Sequence, residues 1–513
     1  MDIFNSLIDG LVLILQWKSI IYLSLGIVIG FCTGILPGLG GGTALALMLP
    51  FVFRMAPHEG IAFLLGMHAV LATTGELTSI LFGIPGEPIT IAMIMDGFPM
   101  AKKGEAGRAM GAALMSSLIG SFFGAFILII CIPIVRPLVL ALGTPELLMV
   151  MVIGLTCIAS LSGGKGKRNL VVGFLAGGIG FLFSLVGEDP QTGILRFTFG
   201  SLYLYNGIPL VPVVLGFFAI PELIDLRVRG TSIAGNIPIE GDLSKGVVQG
   251  LKDALRNFWL VIRCSTIGYG IGILPGLGGA VAQWVAYAHA AQSAKSAEER
   301  AGFGKGDVRG VIGPGSASNS KEGGGIIPTI AFGIPATPGM AVLMGGLLLM
   351  GLVPGPEMLT ENLHLTFSMA WTIALSNFIC VPACLLILNH LAKITTVRGS
   401  RILPILMVFV FIGAYSTNFK TGDLIVLMLS GLTGYFMVRF GLPRPPLFMG
   451  FIIGNLAEMY FGRSNAIYGS SWIYRPGVIV FALIAVGVAL YPVLTDRMRK
   501  NTMGDRGGLH ERN

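Results

Sequence analysis

Long runs of apolar residues, separated by short polar connectors, account for most of this chain. The cleaner runs each approach the ~20 residues that an α-helix needs to cross a bilayer. They lie near 109–134, 146–162, 170–187, 208–224, 363–390, 402–415, 424–438, 446–461 and 477–494. This pattern predicts an all-α polytopic membrane protein with about 10–12 transmembrane segments.

Other apolar segments are interrupted by glycine and proline. In the first half, 20–53 breaks at 34–41, and 61–100 is punctuated at 73–76 and 83–88, which favours a broken hairpin. In the second half, broken elements at 258–290 and 326–352 flank a polar loop at 292–325. Lipid cannot pair freed backbone groups, so such breaks are tolerated only where they line a cavity or are buried in protein.

The two halves share an eight-residue phrase. Gly34-Ile35-Leu36-Pro37-Gly38-Leu39-Gly40-Gly41 returns as Gly272-Ile273-Leu274-Pro275-Gly276-Leu277-Gly278-Gly279, a spacing of 238 residues (272 − 34). Phe82-Gly83-Ile84-Pro85 returns as Phe332-Gly333-Ile334-Pro335, a spacing of 250 (332 − 82). A long polar connector at 225–257 separates the copies. We therefore predict two transmembrane repeats, 1–240 and 241–513, with the matched breaks at a transporter's binding site.

The placement of basic residues predicts how the repeats are oriented. Basic clusters near 102–108, 165–168 and 227–229 alternate with connectors that contain fewer Lys and Arg residues. Later basic clusters lie near 393–401, 439–444 and 497–500. Cytoplasmic connectors are enriched in Lys and Arg. The span starting near Arg108 therefore runs outward and its counterpart near Glu361 runs inward, which predicts inverted repeats. Arg463 and Arg475 fall on the outer side in this scheme.

Composition supports the membrane assignment and excludes other classes. The chain is 54% hydrophobic and 12% charged, against roughly 25% charged residues in soluble proteins. The net charge of +8 is attributed to cytoplasmic connectors, and no long basic cluster suggests a nucleic-acid partner. The six cysteines lie in apolar runs and predict no disulfide framework, and the start lacks the features of a removable signal peptide. No catalytic or metal-ligand pattern emerges, so we expect a protein that is not an enzyme and has no cofactor.

The glycine phrases are candidate binding elements. A helix that restarts after a break offers unpaired N–H groups to anions, and carbonyls of the unwound part hold cations. A tight crossing between packed helices is the alternative. The first phrase lacks the Gly-Lys-Ser/Thr ending of a nucleotide-binding loop. The candidates from both phrases are Gly38, Gly40, Gly41, Thr43, Gly276, Gly278 and Gly279.

Burying an ionisable side chain in an apolar segment costs free energy, so such residues are candidates for a functional role. Glu76 is the strongest of these candidates, and His68, Glu87 and Asp96 are further examples. The Thr-rich stretch around Glu76 and the polar stretch 313–325 are expected to form facing re-entrant tips that hold carboxylate oxygens or Na⁺, with Lys321 neutralising an acid. A water-exposed tip and a flexible linker are the alternatives. The candidates here are Thr73, Thr74, Glu76, Thr78, Ser79, Ser316, Ser318, Asn319 and Ser320.

These motifs resemble the large, TctA-type membrane subunit of tripartite tricarboxylate transporters. Both glycine phrases carry the resemblance, together with Ile84-Pro85-Gly86-Glu87-Pro88 and Asp96-Gly97-Phe98-Pro99-Met100-Ala101-Lys102-Lys103-Gly104. The resemblance implies a multi-pass protein of a bacterial inner membrane that works with a small membrane subunit (TctB-like) and a periplasmic solute-binding protein (TctC-like). It also implies uptake of a carboxylate such as citrate, coupled to H⁺ or Na⁺.

Two stretches depart from the family pattern at the candidate site. Gly75-Glu76-Leu77-Thr78 stands where the family tends to have Gly-Ser-Thr-Thr, and Pro314-Gly315-Ser316-Ala317-Ser318-Asn319 where it tends to have Pro-Glu-Ala-Ala-Asn-Asn. The added carboxyl can serve as a proton site or favour a less acidic cargo. We therefore predict an ion-gradient-driven, binding-protein-dependent permease for a tricarboxylate or related carboxylate. A passive anion channel and a transporter of a non-tricarboxylate solute are the alternatives.

Overall fold

A computed structural model describes residues 3–35, 40–162, 167–189, 191–229, 246–394 and 399–490. These residues are almost entirely helical, which confirms the all-α prediction. In chain order the helices are α1 (Ile3–Leu15), α2 (Trp17–Ile35), α3 (Gly41–Val52), α4 (Pro57–Phe82), α5 (Ile91–Lys102), α6 (Ala106–Leu140), α7 (Thr144–Ser162), α8 (Lys167–Ser184), α9 (Leu210–Val214), α10 (Ile220–Arg229), α11 (Val247–Arg256), α12 (Phe258–Ile273), α13 (Gly278–Gln292), α14 (Ala297–Ala301), α15 (Arg309–Phe332), α16 (Pro338–Leu349), α17 (Leu363–Ile394), α18 (Gly399–Tyr415), α19 (Thr421–Arg439), α20 (Arg444–Tyr468) and α21 (Pro476–Leu490).

Short non-α elements join some of these helices. A π-helical turn, Leu215–Ala219, connects α9 to α10. The strands of an antiparallel hairpin, β1 (Gly187–Glu188) and β2 (Leu195–Arg196), lie between α8 and α9. The 3₁₀ turns are Pro88–Thr90, Leu202–Leu204, Pro356–Leu359 and Gly469–Tyr474.

The chain forms two compact units. One comprises the described residues of 1–139 and 210–432, and the other those of 140–209 and 433–513. Each unit therefore contains residues from both predicted repeats. The boundary near 240 and the inverted orientation of the repeats stay predictions.

Several helices have the length and composition of membrane spans. Among the described residues, five helices are long and apolar enough to cross a bilayer, and the bent pair α20–α21 makes a sixth if it is counted as one span. Shorter apolar helices, α3 and α16 among them, have 10–17 residues. The predicted total of about 10–12 segments is reached only if these shorter helices are included.

Both predicted glycine-phrase breaks separate two helices. The first lies between α2 and α3, and the second between α12 and α13. The breaks after Phe82 and Phe332 also occur, because Gly83 (φ 66°) and Gly333 (φ 68°) end α4 and α15 in the left-handed conformation. These boundaries confirm the broken elements that the sequence predicted.

The same helix crossing is built twice. A Cβ on Gly30 of α2 would lie 2.5 Å from Met67 O of α4, and one on Gly268 of α12 would lie 2.4 Å from Ala317 O of α15. The glycines differ by 238 positions (268 − 30) and the carbonyl residues by 250 (317 − 67), the two spacings of the sequence repeat. The repeated motifs therefore make equivalent helix contacts.

Two structural expectations were wrong. The stretch 73–76 lies inside α4 and the stretch 313–325 lies inside α15, so neither forms a re-entrant tip or a loop. Both helices are buried along most of their length, from Glu59 to Phe82 in α4 and from Gly310 to Ala331 in α15. Tertiary packing therefore overrides the turn-like composition of these stretches.

Candidate functional site

Helix α4 holds one side of the candidate site. Its first turn is stabilised by Pro57 at the start and by Glu59, whose carboxylate accepts a hydrogen bond from the Ala56 N–H at 3.1 Å. Thr73 and Glu76, three residues apart, lie on neighbouring positions of one helix face. Both side chains are fully buried.

Helix α15 holds the opposing side. Its many glycines let neighbouring helices approach closely; a Cβ on Gly315 would lie 2.5 Å from Ser116 Oγ of α6, and one on Gly323 would lie 2.3 Å from Gly124 O of α6. This contact brings Ser318 and Asn319 into the interior, where both are fully buried. The glycine-rich composition therefore serves close helix packing in this part of the chain.

Glu76 is the centre of a buried carboxyl cluster that also contains Ser117, Gln283 and Ser318. Its Oε1 accepts hydrogen bonds from Ser318 Oγ at 2.5 Å and from Gln283 Nε2 at 3.2 Å. Its Oε2 accepts one from Ser117 Oγ at 2.8 Å. Helices α4, α6, α13 and α15 therefore meet at one carboxyl group. Among the described residues, no Lys or Arg side chain hydrogen-bonds to it.

An amide cluster lies beside the carboxyl cluster and consists of Thr73, Asn319 and Asn377. Asn319 Nδ2 donates to Thr73 Oγ1 at 2.7 Å and to Asn377 Oδ1 at 2.9 Å, and Thr73 Oγ1 donates to Asn377 Oδ1 at 2.9 Å. Asn319 Oδ1 is buried and has no hydrogen-bond partner in the described part of the chain. Helix α17 is thereby joined to α4 and α15.

A charged cluster lies near the starts of the restarted helices and consists of His68, Glu87, Lys321 and Glu322. Lys321 Nζ makes a short hydrogen bond with Glu322 Oε1, and His68 Nε2 lies 3.2 Å from Glu322 Oε2. All four side chains are less than 10% exposed. Lys321, expected to neutralise a bound acid, is thus already paired with a protein carboxylate.

The glycine phrases lie next to this charged cluster. Gly40 is the N-cap of α3, and a Cβ on Gly41 would lie 2.7 Å from Glu87 Oε1. In the second phrase, Gly276 (φ 85°) donates its N–H to Ala336 O at 3.1 Å, and Gly278 (φ 73°) begins α13. A Cβ on Gly279 would lie 2.4 Å from Lys321 Cε. Gly38 lies outside the described residues.

The other predicted hydroxyls make hydrogen bonds outside the two clusters. Thr74, Thr78, Ser79 and Ser316 donate to carbonyls of their own helices, at Val70, Gly75, Gly75 and Gly313. Ser79 also pairs with Thr90 at 2.7 Å. Thr43 and Ser320 donate to the carbonyls of Phe218 and Ser265. The structure therefore brings together Thr73, Glu76, Ser318 and Asn319 of the predicted set.

Sequence reasoning missed three members of the clusters. Ser117, Gln283 and Asn377 are polar residues within the apolar helices α6, α13 and α17. Each is fully buried. The sequence signal for these residues was a polar side chain in an otherwise apolar helix, which by itself does not reveal the partners of that side chain.

The second unit contains a separate cavity of about 400 Å³ next to the β1–β2 hairpin. Arg196 lies on its wall and makes two hydrogen bonds with Glu458, at 2.5 and 2.9 Å. This pairing raises the pKa of Arg196 above its usual value. Because the arginine charge is already compensated, we place the candidate site in the first unit.

Comparison with known proteins gives a match over most of the chain. Residues 20–449 match the family model described as the tripartite tricarboxylate transporter TctA family. An uncharacterized 52.8 kDa protein of the TAR-I ttuC′ 3′ region of Agrobacterium vitis is 31% identical over 501 residues, 95% of each chain. A protein of the TAR-II ttuC′ 3′ region of the same organism is 31% identical over 219 residues, covering 42% of this chain and 89% of that protein. No solved structure matches.

Proposed function

Because this chain belongs to the tripartite tricarboxylate transporter TctA family, we propose that it is the large permease subunit of a secondary transporter that imports a small carboxylate. A periplasmic binding protein delivers the cargo, and a small membrane subunit completes the complex. An H⁺ or Na⁺ gradient drives uptake across a bacterial inner membrane. The cargo is a tricarboxylate or a related carboxylic acid.

The carboxyl cluster is the observation that carries this proposal. Glu76 is fully buried and receives hydrogen bonds from two hydroxyls and one amide. A buried carboxyl among oxygen-bearing side chains binds H⁺ or Na⁺, and such intramembrane carboxyls serve as ion sites in transporters. We therefore assign the coupling ion to Glu76, Ser117 and Ser318.

The amide cluster supports the same assignment. Asn319 Oδ1 is a buried acceptor without a partner in the described part of the chain, and an unsatisfied buried acceptor is costly. A cation bound near Thr73 and Asn319 removes that cost. Since Glu76 repels an anion, the carboxylate cargo binds at a different point of the first unit.

Reconstitution tests this function. The chain is placed in proteoliposomes with its small membrane subunit and its binding protein, and uptake of radiolabelled citrate, malate or succinate is followed under imposed pH or Na⁺ gradients. We expect saturable uptake that requires the binding protein and stops when the driving gradient is collapsed. Uptake that persists after both gradients are collapsed contradicts ion coupling. Conductance without the binding protein indicates a passive channel instead.

A further inference from the structure

Two helices of the first unit begin at the same point. A Cβ on Gly42 of α3 would lie 3.7 Å from Pro338 C and 3.8 Å from Gly339 N of α16. Both helices have 12 residues. The first N–H groups of a helix have no partner within that helix and lie at the positive end of its dipole. In α16, Pro338 has no N–H and the Met340 N–H already donates to Thr337 Oγ1 at 3.1 Å. The backbone donors left at the junction of α3 and α16 are therefore the N–H groups of Gly41, Gly42 and Gly339.

A buried histidine with a free ring nitrogen faces this junction. A Cβ on Gly339 would lie 2.5 Å from His68 Cε1, so the ring edge that carries both nitrogens is directed at the start of α16. His68 is 5% exposed, and neither ring nitrogen has a hydrogen-bond partner in the described part of the chain. Nε2 lies 3.2 Å from Glu322 Oε2, within ion-pair distance, and Nδ1 is the ring nitrogen that has no such contact. This is a buried polar group with donor capacity left over.

The protein's own carboxylate occupies the junction. Glu87 Oε1 is 2.7 Å from the position of a Cβ on Gly41, and that same position is 3.6 Å from His68 Cε1. The N-cap of helix α3 is Gly40, which has no side chain to cap the first turn. A carboxylate at a helix N-terminus is the arrangement that such ends favour. Glu87 thus has the place and the chemistry of a bound carboxylate ligand.

Glu87 lies on a connection and not on a long helix. It precedes the short turn Pro88–Thr90 in the link between α4 and α5. Its backbone packs on α4, where a Cβ on Gly75 would lie 3.0 Å from Glu87 N. Gly75 is the residue before Glu76, so a shift of this connection reaches the coupling-ion site directly.

We propose that the junction of α3 and α16 binds one carboxylate group of the cargo, and that Glu87 is an internal stand-in that leaves when the cargo enters. His68, the N–H groups of Gly41 and Gly42 in α3 and the Gly339 N–H of α16 hold the carboxylate. Departure of Glu87 releases the contact with Gly75 and so links cargo entry to the site at Glu76. This assignment rests on the proposed function, because it places that cargo.

Direct binding tests the stand-in role without requiring transport. The purified chain is placed in lipid nanodiscs, and binding of radiolabelled citrate, malate and succinate is measured. Glu87→Gln removes the competing charge and is expected to lower the Kd of at least one acid by about tenfold. The matched control is Glu59→Gln in α4, because Gln preserves the N-terminal capping interaction while removing a buried charge. Its Kd is expected to equal that of the unaltered chain.

The alternative outcomes are distinct. If Glu87 only caps α3, Glu87→Gln lowers the melting temperature and leaves the Kd unchanged or raised, which overturns the proposal. Failure of Glu87→Gln to bind any of the three acids also overturns it. His68→Gln in the Glu87→Gln background is expected to reverse the gain in affinity, and an unchanged affinity contradicts the role of His68. If Glu87→Gln does not fold, Glu87→Asp, whose carboxylate is one methylene shorter, is expected to lower the Kd by a smaller factor, and an unchanged Kd overturns the proposal.

The transport assay separates this proposal from the proposed function. Tighter binding in Glu87→Gln together with gradient-independent uptake supports the junction and contradicts ion coupling. Gradient-driven uptake by the unaltered chain, together with no tighter binding in Glu87→Gln, supports ion coupling and contradicts binding at the junction.

Discussion

Ser318 Oγ donates a hydrogen bond to Glu76 Oε1 at 2.5 Å, in a position buried from solvent. The two residues come from α15 and α4, which belong to different predicted repeats. Equivalent helices of the two halves are thus joined by a polar contact at a single carboxyl group. The carboxyl group and its hydroxyl donors are positioned by the interior of the first unit.

Glu76→Gln is expected to uncouple transport from its ion gradient. Gln keeps the volume and one acceptor oxygen, which serves either Ser117 or Ser318, but it neither takes up a proton nor carries the negative charge that attracts Na⁺. Gradient-driven uptake should fall by at least about tenfold, the effect of losing roughly 1.4 kcal/mol. Exchange of labelled for unlabelled cargo at equal concentrations needs no net ion movement and should persist.

Glu59→Gln serves as the control for this variant, since it also removes a buried carboxyl from α4. Its gradient-driven uptake should match that of the unaltered chain. Normal accumulation by Glu76→Gln would remove Glu76 from the coupling site.

Thr73→Val is expected to destabilise the protein and weaken uptake. The hydroxyl of Thr73 accepts from Asn319 and donates to Asn377, so its removal takes one hydrogen bond from each of two buried amide groups. The cost is about 1–3 kcal/mol in the free energy of unfolding. Thermal unfolding in detergent and uptake in proteoliposomes measure the two effects.

Thr372→Val is the matched control for Thr73→Val. Thr372 is equally buried, but its hydroxyl donates only to Ser368 O within α17. Uptake should be retained in this variant. Equal loss of uptake in both variants would show that any buried threonine change has this effect, and would contradict a specific role for the amide cluster.

The β1–β2 hairpin of the second unit is expected to loosen in acid. The backbone N–H of Gln191 donates to Asp189 at 2.8 Å, and this hydrogen bond lowers the pKa of Asp189 below its usual value. A carboxyl with a lowered pKa in the folded state stabilises that state above its unfolded pKa. The stabilisation is lost as pH falls from about 3.9, the ordinary value, through the folded one.

Hydrogen exchange of peptides from this hairpin measures the loosening. Protection, the intrinsic amide exchange rate relative to the observed rate at the same pH, should fall below the ordinary carboxyl pKa in the unaltered chain. In Asp189→Asn protection should be lower at neutral pH and respond less to acid. An identical acid response in both proteins would exclude Asp189 as the titrating group.

The helix breaks could be predicted from sequence, whereas the interiors of α4 and α15 could not. Gly83 and Gly333 end their helices as single left-handed residues, a local property that sequence reveals. The stretch 313–325 has the composition of a loop, yet it is helical because glycines permit contact with α6 and because Ser316 donates to its own helix at Gly313. These contacts depend on tertiary packing.

The candidate site was likewise predicted only in part. Glu76 and Asn319 stood out as polar residues in motifs, and the structure places both in buried hydrogen-bonded clusters. Gln283 and Asn377 have no motif around them, and their proximity to Glu76 and Asn319 comes from the packing of α13 and α17. The residues with the relevant chemical groups were therefore easier to predict than the residues that hydrogen-bond to them.

Gly268→Ala is expected to separate α12 from α15. The added Cβ would lie 2.4 Å from the backbone carbonyl of Ala317, which cannot rotate away as a side chain can. Overpacking of this kind costs about 1–3 kcal/mol. Ala317 precedes Ser318, so the shift should also move the hydroxyl that donates to Glu76 and reduce uptake.

Gly270→Ala in the same helix separates this steric effect from helix propensity. A Cβ on Gly270 would meet no atom within 4 Å, and alanine favours a helix over glycine by about 1 kcal/mol. Gly270→Ala should therefore leave the melting temperature unchanged or raise it, with normal uptake, whereas Gly268→Ala should lower both. Fluorescence-detected size-exclusion chromatography after heating, together with the proteoliposome assay, measures the difference. Equal behaviour of the two variants would contradict the close crossing of α12 and α15 and, with it, the positioning of Ser318 by the repeated glycines.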